Sequence, residues 1–364
     1  MAGRFNICVF DGDGIGPEIM APTIELLGAL SAARGLPTLA FAHHPAGAGH
    51  YRDHGEALPA ASMQAAAAAD AILLSAMGLP EVRYPDGTEI SPQIELRMAL
   101  GLYAGVRPVL LFGQGTPLAG IDALDFVIVR ESTEGLFASH GKGSRDGDTA
   151  AHETLTITRE TSEKLFDFAF RLARRRVALG RGPGLVHCVD KANVFQAFAF
   201  FRKIFHERAA RFPDIQAKTT YVDAAALWLV ERPTMFDVMV TENMFGDILS
   251  DLGAGLMGGL GFAPSADIGD QNAVFQPCHG SAPDIAGRGI ANPIAMLLSG
   301  AMMLEWLAER HGDERLTAAG EDLRAAVAAV VREGRVRTPD MGGSAGTADV
   351  CAAVAAALGL AVPA

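Results

Sequence analysis

The feature that most constrains this chain is a repeated alternation of short apolar runs with longer segments of helical period. Ile7 to Phe10 reads as a buried strand. A glycine-rich turn, Asp11 to Gly16, follows, and Pro17-Glu18 opens a helix reaching about Ala33. Proline is well placed there, because the N–H it lacks would have no helical partner anyway. The pattern recurs as a helix over Ser62–Asp70 and a strand over Ala71–Ala76. Phe126–Val129, Thr154–Thr158, Val186–Val189, Thr219–Val222 and Val238–Val240 read as strands. Thr161–Arg176, Val194–Arg208, Ala224–Val230, Phe245–Leu252, Ile294–His311 and Glu321–Glu333 read as helices. Strands that alternate with helices predict an α/β architecture with mainly parallel pairing. The polar stretch Ser139–Asp148 reads as a loop or arm. Five glycines between Gly253 and Gly261 suit a hinge better than a helix interior.

With 364 residues there is room for two domains or one large α/β unit. A net charge of -12 argues against partners such as nucleic acid or an anionic membrane surface. Cys8, Cys188, Cys278 and Cys351 are far apart with no CxxC pair, which predicts free thiols and a reducing, cytoplasmic setting. The N-terminus enters a strand without a signal-peptide core, and the uncharged tail Cys351–Ala364 is too short for a membrane span.

Charged residues in apolar surroundings carry the chemistry. Asp247 and Asp251, at i and i+4 in FGDILSD, share one helical face among Phe245, Ile248, Leu249 and Leu252. The face could be simply a solvated acidic one, but two carboxylates among apolar neighbours need a counter-charge, and a hard divalent cation, Mg²⁺ or Mn²⁺, would supply it. Asp223 stands where a strand gives way to a helix, and taken alone it reads equally as an N-cap. Arg97, Arg107 and Arg130 form a second group. Arg130 directly follows the apolar run FVIV, a poor place for a residue that serves only solubility. Their planar donors suit carboxylates, whether of a ligand or of neighbouring Glu95 and Glu131. Lys191 ends the strand in VDKANVF, where a partly buried amine can act as a base or simply lie along apolar surface. The turn GDGIG lacks the GxGxxG spacing, and His279–Asp284 forms a second tight polar loop ahead of Asn292-Pro293.

Taken together, these segments resemble the β-decarboxylating dehydrogenases: isopropylmalate, isocitrate, homoisocitrate and tartrate/D-malate dehydrogenases. The blocks run in order through GDGIGPEI, LRMALGLYAGVRP, VRESTEGLF, VDKANV, YVDAAAL, TENMFGDILSDLGAGLMGGLGFAPSADIG and HGSAPDIAGRGIANPIA. Closest in character are 3-isopropylmalate and tartrate/D-malate dehydrogenases. The resemblance implies a two-domain α/β fold that is not a Rossmann fold. A discontinuous nucleotide-binding domain would comprise 1–105 plus 257–364. A substrate, metal and dimerisation domain would comprise 106–256, with a clasp arm near 139–158. It also implies a homodimer with shared active sites, Lys191 and Asp223 reaching into the partner's cleft.

The implied roles follow. Arg97, Arg107 and Arg130 would clamp a small hydroxy acid's carboxylates, with Ser91 and Gln93 beside them. Asp247 and Asp251, with the partner's Asp223, would hold the Mg²⁺ or Mn²⁺, and Lys191 would act as base. Gly14, Ile15, Asn193, His279, Gly280, Ala282, Asp284 and Asn292 would bind the cofactor. Asp284 followed by Ile285 matches the NAD form, because a carboxylate repels a 2′-phosphate. The implied reaction is oxidative decarboxylation of a 3-substituted malate, with 3-isopropylmalate or a close analogue first and tartrate/D-malate or (homo)isocitrate as alternatives.

There are three departures from the family pattern. Phe137 ends RESTEGLF where a proton-donating tyrosine is usual. Ser91, Gln93 and Ile94 match neither the isopropylmalate nor the isocitrate pocket. Asp11 replaces a proline. Two further readings stay open: a dehydrogenase with an altered protonation step, which Phe137 motivates, or a non-catalytic regulatory subunit of the kind that some isocitrate dehydrogenase relatives contain. Only the second is opposed by the intact set of arginines, carboxylates and lysine.

Overall fold

The computed structural model describes residues 3–113 and 115–360. The strands are β1 (Arg4–Phe10), β2 (Thr38–His43), β3 (Ala71–Leu74), β4 (Ala104–Leu110), β5 (Asp125–Glu131), β6 (Ser144–Asp146), β7 (Ala150–His152), β8 (Leu185–Asp190), β9 (Gln216–Tyr221), β10 (Val238–Thr241), β11 (Pro264–Ile268) and β12 (Ala273–Pro277). The helices are α1 (Gly16–Ala33), α2 (Ala48–His54), α3 (Ala60–Ala68), α4 (Pro92–Ala99), α5 (Arg159–Ala178), α6 (Gln196–Ala209), α7 (Val222–Glu231), α8 (Asn243–Leu256), α9 (Ile294–His311), α10 (Glu314–Glu333) and α11 (Thr347–Ala357).

Ten strands form one sheet in the order β2-β1-β3-β12-β11-β4-β5-β10-β8-β9. Both flanks are parallel, as the apolar runs predict, since a parallel strand is covered on both faces. The middle is different: β12, β11, β4 and β5 pair antiparallel. These strands carry prolines and charges within their runs, so no apolar pattern announced β4, β11 or β12.

Helix α9 is buried nearly all round, consistent with its apolar run Ile294–Leu304, interrupted only by Ser299 and Gly300. A Cβ at its Gly300 would stand 3.0 Å from Leu27 of α1, so the glycine permits that close crossing. On the other flank α5 buries Leu165, Phe166, Ala169 and Phe170 against α6. The Phe166 and Phe201 rings lie 4.5 Å apart. Each such aromatic pair adds about 0.5–1.5 kcal/mol to the burial term. Thr158 caps α5 by accepting from the Thr161 N–H.

Several sequence expectations are corrected. Helix α8 continues through Gly253 and Gly255 to Leu256, where a hinge or loop was expected. A Cβ on Gly253 would lie 2.7 Å from Val109 of β4, so the glycine lets the helix settle onto the sheet. Thr154–Thr158 is not a strand; Thr156 makes only an isolated bridge to Gly135. The polar arm folds as a short hairpin, β6–β7, preceded by a 3-10 turn over Leu136–Ser139. Helix α10 begins at Glu314 rather than Glu321, because Asp313 caps it. The last four residues of the apolar tail lie outside the described residues. Among the described residues no helix is long and apolar enough to cross a membrane.

Beneath β5 and β10 lies a buried ion pair. Asp237 is fully buried; it accepts from the Gly184 and Leu185 N–H groups at 3.0 Å and from Arg176 Nε at 2.7 Å. Removing the cation strands a buried charge, which is far costlier than losing a surface pair. Arg176→Ala is therefore expected to lower the unfolding free energy by about 3 kcal/mol in a denaturant titration.

Candidate functional site

The site is built on the antiparallel centre of the sheet. Asp267 of β11 stands directly opposite Gly105 of β4, and Gly105 directly opposite Arg130 of β5. Residues opposed across a ladder share one face, and so do residues two apart on a strand. Asp267, Arg130 and Arg107 thus project from the same side of the sheet. Between them Gly105 has no side chain; a Cβ there would lie 2.5 Å from Ser132 Oγ and 3.1 Å from an Asp267 carboxylate oxygen. Arg97 joins them from the last turn of α4.

All three arginines are buried, at 7, 6 and 4% exposure for Arg97, Arg107 and Arg130. Like charges gathered out of water need a counter-charge. Asp267, itself 2% exposed, accepts from Arg107 Nη2 at 3.1 Å and Arg97 Nη2 at 3.3 Å. Gln276 Nε2 donates to the same carboxylate at 2.9 Å. Burial alone would push Asp267 up, but the Arg97, Arg107 and Arg130 charges outweigh it and hold it down at about 2. Arg130 is pulled down to about 10 by burial, against the opposing charge of Asp247, and stays cationic near neutrality. It donates to Asn243 Oδ1 at 3.0 and 2.7 Å, and it pairs with Asp247.

Arg97, Arg107, Arg130, Gln93, Asp247, Asp251, His279 and Gly280 line one cleft of about 270 Å³. Phe137 also lines it, with its ring 5.3 Å from the Arg130 guanidinium. Asp247 and Asp251 are one turn apart on α8. Burial and the neighbouring Asp247 charge both raise the pKa of Asp251, so a cation between the two carboxylates would be stabilised by the donors already present. Three polar atoms in the lining, Gln93 Oε1, Arg97 Nε and His279 Nε2, are buried without a partner in the protein. Such atoms point to a polar ligand. The arrangement can therefore hold a small polyanion by its carboxylates, next to a hard cation.

Two glycine-rich turns meet at one end of this cleft. The Ile15 N–H donates to Ser281 O at 2.8 Å, and a Cβ on Gly14 would lie 2.0 Å from that oxygen. Asp13 ties the first turn down by accepting from the Ala48, Gly49 and Gly78 N–H groups, each at 2.8 Å. In the second turn Ala282 adopts a φ of 38° and Asp284 is exposed. Within this loop His279 Nδ1 faces Gly280 O at 3.0 Å, leaving Nε2 turned inward. Asn292 is already engaged: it donates to Asp340 at 3.0 Å and accepts from the Ile294 N–H at 3.1 Å at the start of α9.

Other expected site residues lie apart from the cleft. Lys191 Nζ bonds Asp223 Oδ1 at 2.6 Å, and this bond holds the Asp223 carboxyl below its usual range. The pair stands at the exposed ends of β8 and β9, with Asn193 exposed beside it. Among the described residues of one chain, no three His, Cys, Asp or Glu side chains group to hold a metal. Asp223 does not join Asp247 and Asp251 within the single chain. Ser91 precedes α4, makes no cap and does not line the cleft. The residues that sequence reasoning missed are Asp267, Gln276, Asn243 and Gly105. Asp267 carried the same signal as Arg130, a charge inside a strand.

A family model described as isocitrate/isopropylmalate dehydrogenase matches residues 6–354. The 3-isopropylmalate/3-methylmalate dehydrogenase of Methanocaldococcus jannaschii is 41% identical over 351 residues, covering 96% of this chain and 98% of that protein. The homoisocitrate dehydrogenase of the same organism is 39% identical over 354 residues, covering 95% of each. The crystal structure of isocitrate dehydrogenase from Methylococcus capsulatus aligns with a TM-score of 0.85 at 37% identity, covering 98% of this chain and 99% of that one.

Gly246 of α8 gives a direct test of the arginine geometry. A Cβ there would lie 2.6 Å from Arg130 Cβ and Cγ. Gly246→Ala is expected to displace Arg130 and weaken binding of a dicarboxylate such as malate by about tenfold or more, read by calorimetry. The helix content should be unchanged by circular dichroism, since alanine favours helix.

Proposed function

The chain belongs to the isocitrate/isopropylmalate dehydrogenase family, and from that premise we propose that it oxidises and decarboxylates a 3-substituted malate, using NAD and Mg²⁺ or Mn²⁺. The class is that of β-decarboxylating hydroxy acid dehydrogenases. The first-choice substrate is 3-isopropylmalate or a close analogue, in keeping with the 3-isopropylmalate/3-methylmalate dehydrogenase relative. The observation that carries this reading is the convergence of three buried guanidiniums on a cleft edged by two carboxylates of one helical turn.

In this reading Arg97, Arg107 and Arg130 hold the two malate carboxylates and fix the hydroxyl-bearing carbon between them. Planar donors in a dry site give both affinity and orientation. Asp247 leaves Arg130 when a carboxylate arrives and, with Asp251, faces the cation site. When bound, the cation supplies positive charge beside the hydroxyl and its neighbouring carboxylate, and NAD supplies the hydride acceptor. The turns of Gly14–Ile15 and His279–Asp284 border the cofactor. His279 Nε2 offers it an unpartnered acceptor, and the Asp284 carboxylate disfavours a 2′-phosphate.

Lys191 takes the hydroxyl proton. It and Asp223 come from a second copy of the chain, which completes the cleft as a homodimer. This is supported by the apolar residues exposed around them: Val194, Phe195, Leu227 and Val230, with Ile248 between the two cleft carboxylates. The hairpin β6–β7 is the clasp, and the two ends of the chain form one domain while the middle forms the other. Four free cysteines suit a reducing cytoplasm.

Phe137 favours a second reading of the last step. It lines the cleft against Arg130 and has no proton to give, while His140 is exposed and outside the lining. Protonation after loss of CO₂ then falls to water, and turnover is limited there.

The purified protein is expected to form NADH from 3-isopropylmalate or a close 3-alkylmalate with Mg²⁺ or Mn²⁺. A chelator should abolish the signal, and Lys191→Ala should lower it by about 10²-fold or more. No NADH from a panel that also includes D-malate, tartrate, isocitrate and homoisocitrate would overturn the proposal.

A further inference from the structure

Resting on the reading above, we propose that Asp267 is a specificity-determining positioning residue that matches the cleft to acids with two carboxylates and a neutral third-carbon substituent, and against acids with three carboxylates. Its oxygens hold Arg107 at 3.1 Å and Arg97 at 3.3 Å, with Gln276 at 2.9 Å; these three line the cleft, and Asp267 stands behind them outside the lining. Three guanidiniums less this one carboxylate leave two positive charges for the substrate. Asp247 and Asp251 offset a divalent cation, and Lys191 and Asp223 of the second copy offset each other, so that count is unchanged. An acid with two carboxylates therefore neutralises the site, whereas a third carboxylate goes uncompensated in a setting where unpaired charge is costly.

The neighbourhood open to a third-carbon substituent agrees with this count. Beside Arg97 the cleft is lined by Met77, Gln93 and Ile94, which carry no charge. Among the described residues that line it, Arg97, Arg107 and Arg130 are the only arginines or lysines. Asp267 cannot turn aside to make room. It is 2% exposed and held from three directions, and its approach to the arginines depends on the missing side chain of Gly105. It touches no substrate in this arrangement. It acts through the arginines, by fixing their fork geometry and by subtracting one charge from their field.

The test is calorimetric binding of 3-isopropylmalate and of isocitrate to the full chain with Mg²⁺ and no NAD. Turnover is then absent, and the result stands apart from whether NADH forms. The unaltered protein is expected to bind 3-isopropylmalate the more tightly. Asp267→Asn, close to isosteric, should raise the affinity for isocitrate relative to 3-isopropylmalate by about tenfold or more, because the third carboxylate gains the uncovered charge. Gln276→Glu places a second carboxylate beside the same arginines and should move the ratio the other way; it reads the same quantity if the first variant fails to fold. An unchanged ratio in the folded variants would overturn the proposal, and so would equal loss of both acids or no binding of either acid to the unaltered chain. Loss of NADH formation with the ratio shift intact would overturn the catalytic reading alone.

Discussion

Three guanidiniums are held out of water at the middle of a sheet, and a single buried carboxylate makes that arrangement possible. Without Asp267, Arg97 and Arg107 would face each other's charge in a low-dielectric interior. The antiparallel centre is the geometric means. Only strands in this register set Asp267, Gly105 and Arg130 in one row across the ladder. The parallel flanks and the buried helix α9 serve as scaffold, fixing β11 and β12 on one side and β5 on the other. Small residues then set the approach distances: Gly105 between the charges, Gly246 against Arg130 and Gly253 against Val109.

Within one chain the cleft lacks the lysine and the third aspartate that the family resemblance implies. Cations and two carboxylates converge there, while Lys191 and Asp223 pair with each other some way off, at the exposed end of the sheet. Apolar side chains stand exposed on α7, which begins at that pair, and on α8, which carries the cleft carboxylates. In the proposed account these features have one explanation: the surface that buries Leu227, Val230 and Ile248 also carries the partner's lysine to the acid. The Phe137 ring against Arg130 then makes the cleft wall drier than a phenol would, at the expense of a proton donor.

Much of the scaffold was legible in the sequence. The inner parallel strands carry buried apolar runs, whereas the exposed edge strand β9 (QAKTTY) was legible only in its second half and β2 (TLAFAH) not at all; α1, α5, α6 and α9 carry strong start signals or a clear apolar stripe. What was not legible is what makes the site. Strand β4 has Arg107 and Pro108 inside it, and a proline in mid-sheet argues against a strand by local rules. Strand β11, PSADI, has an aspartate at its heart. Propensity reads such segments as loops, and tertiary pairing overrides it. Gly253 and Gly255 misled for the same reason: a helix tolerates them because its neighbour needs the space. The arginines and the α8 carboxylates were recognisable because charge in an apolar setting demands a partner. The same argument, applied to PSADI, would have found Asp267.

The most direct test of the account is complementation between two inactive variants. Lys191→Ala and Arg130→Ala each remove one half of the proposed composite site, so neither homodimer should oxidise its acid. Refolded together in equal amounts, they should regain about a quarter of wild-type NADH formation, because half of the dimers then carry one intact cleft. A mixture as inactive as its two components, with mixed dimers shown to form, would contradict a cleft completed by the second chain.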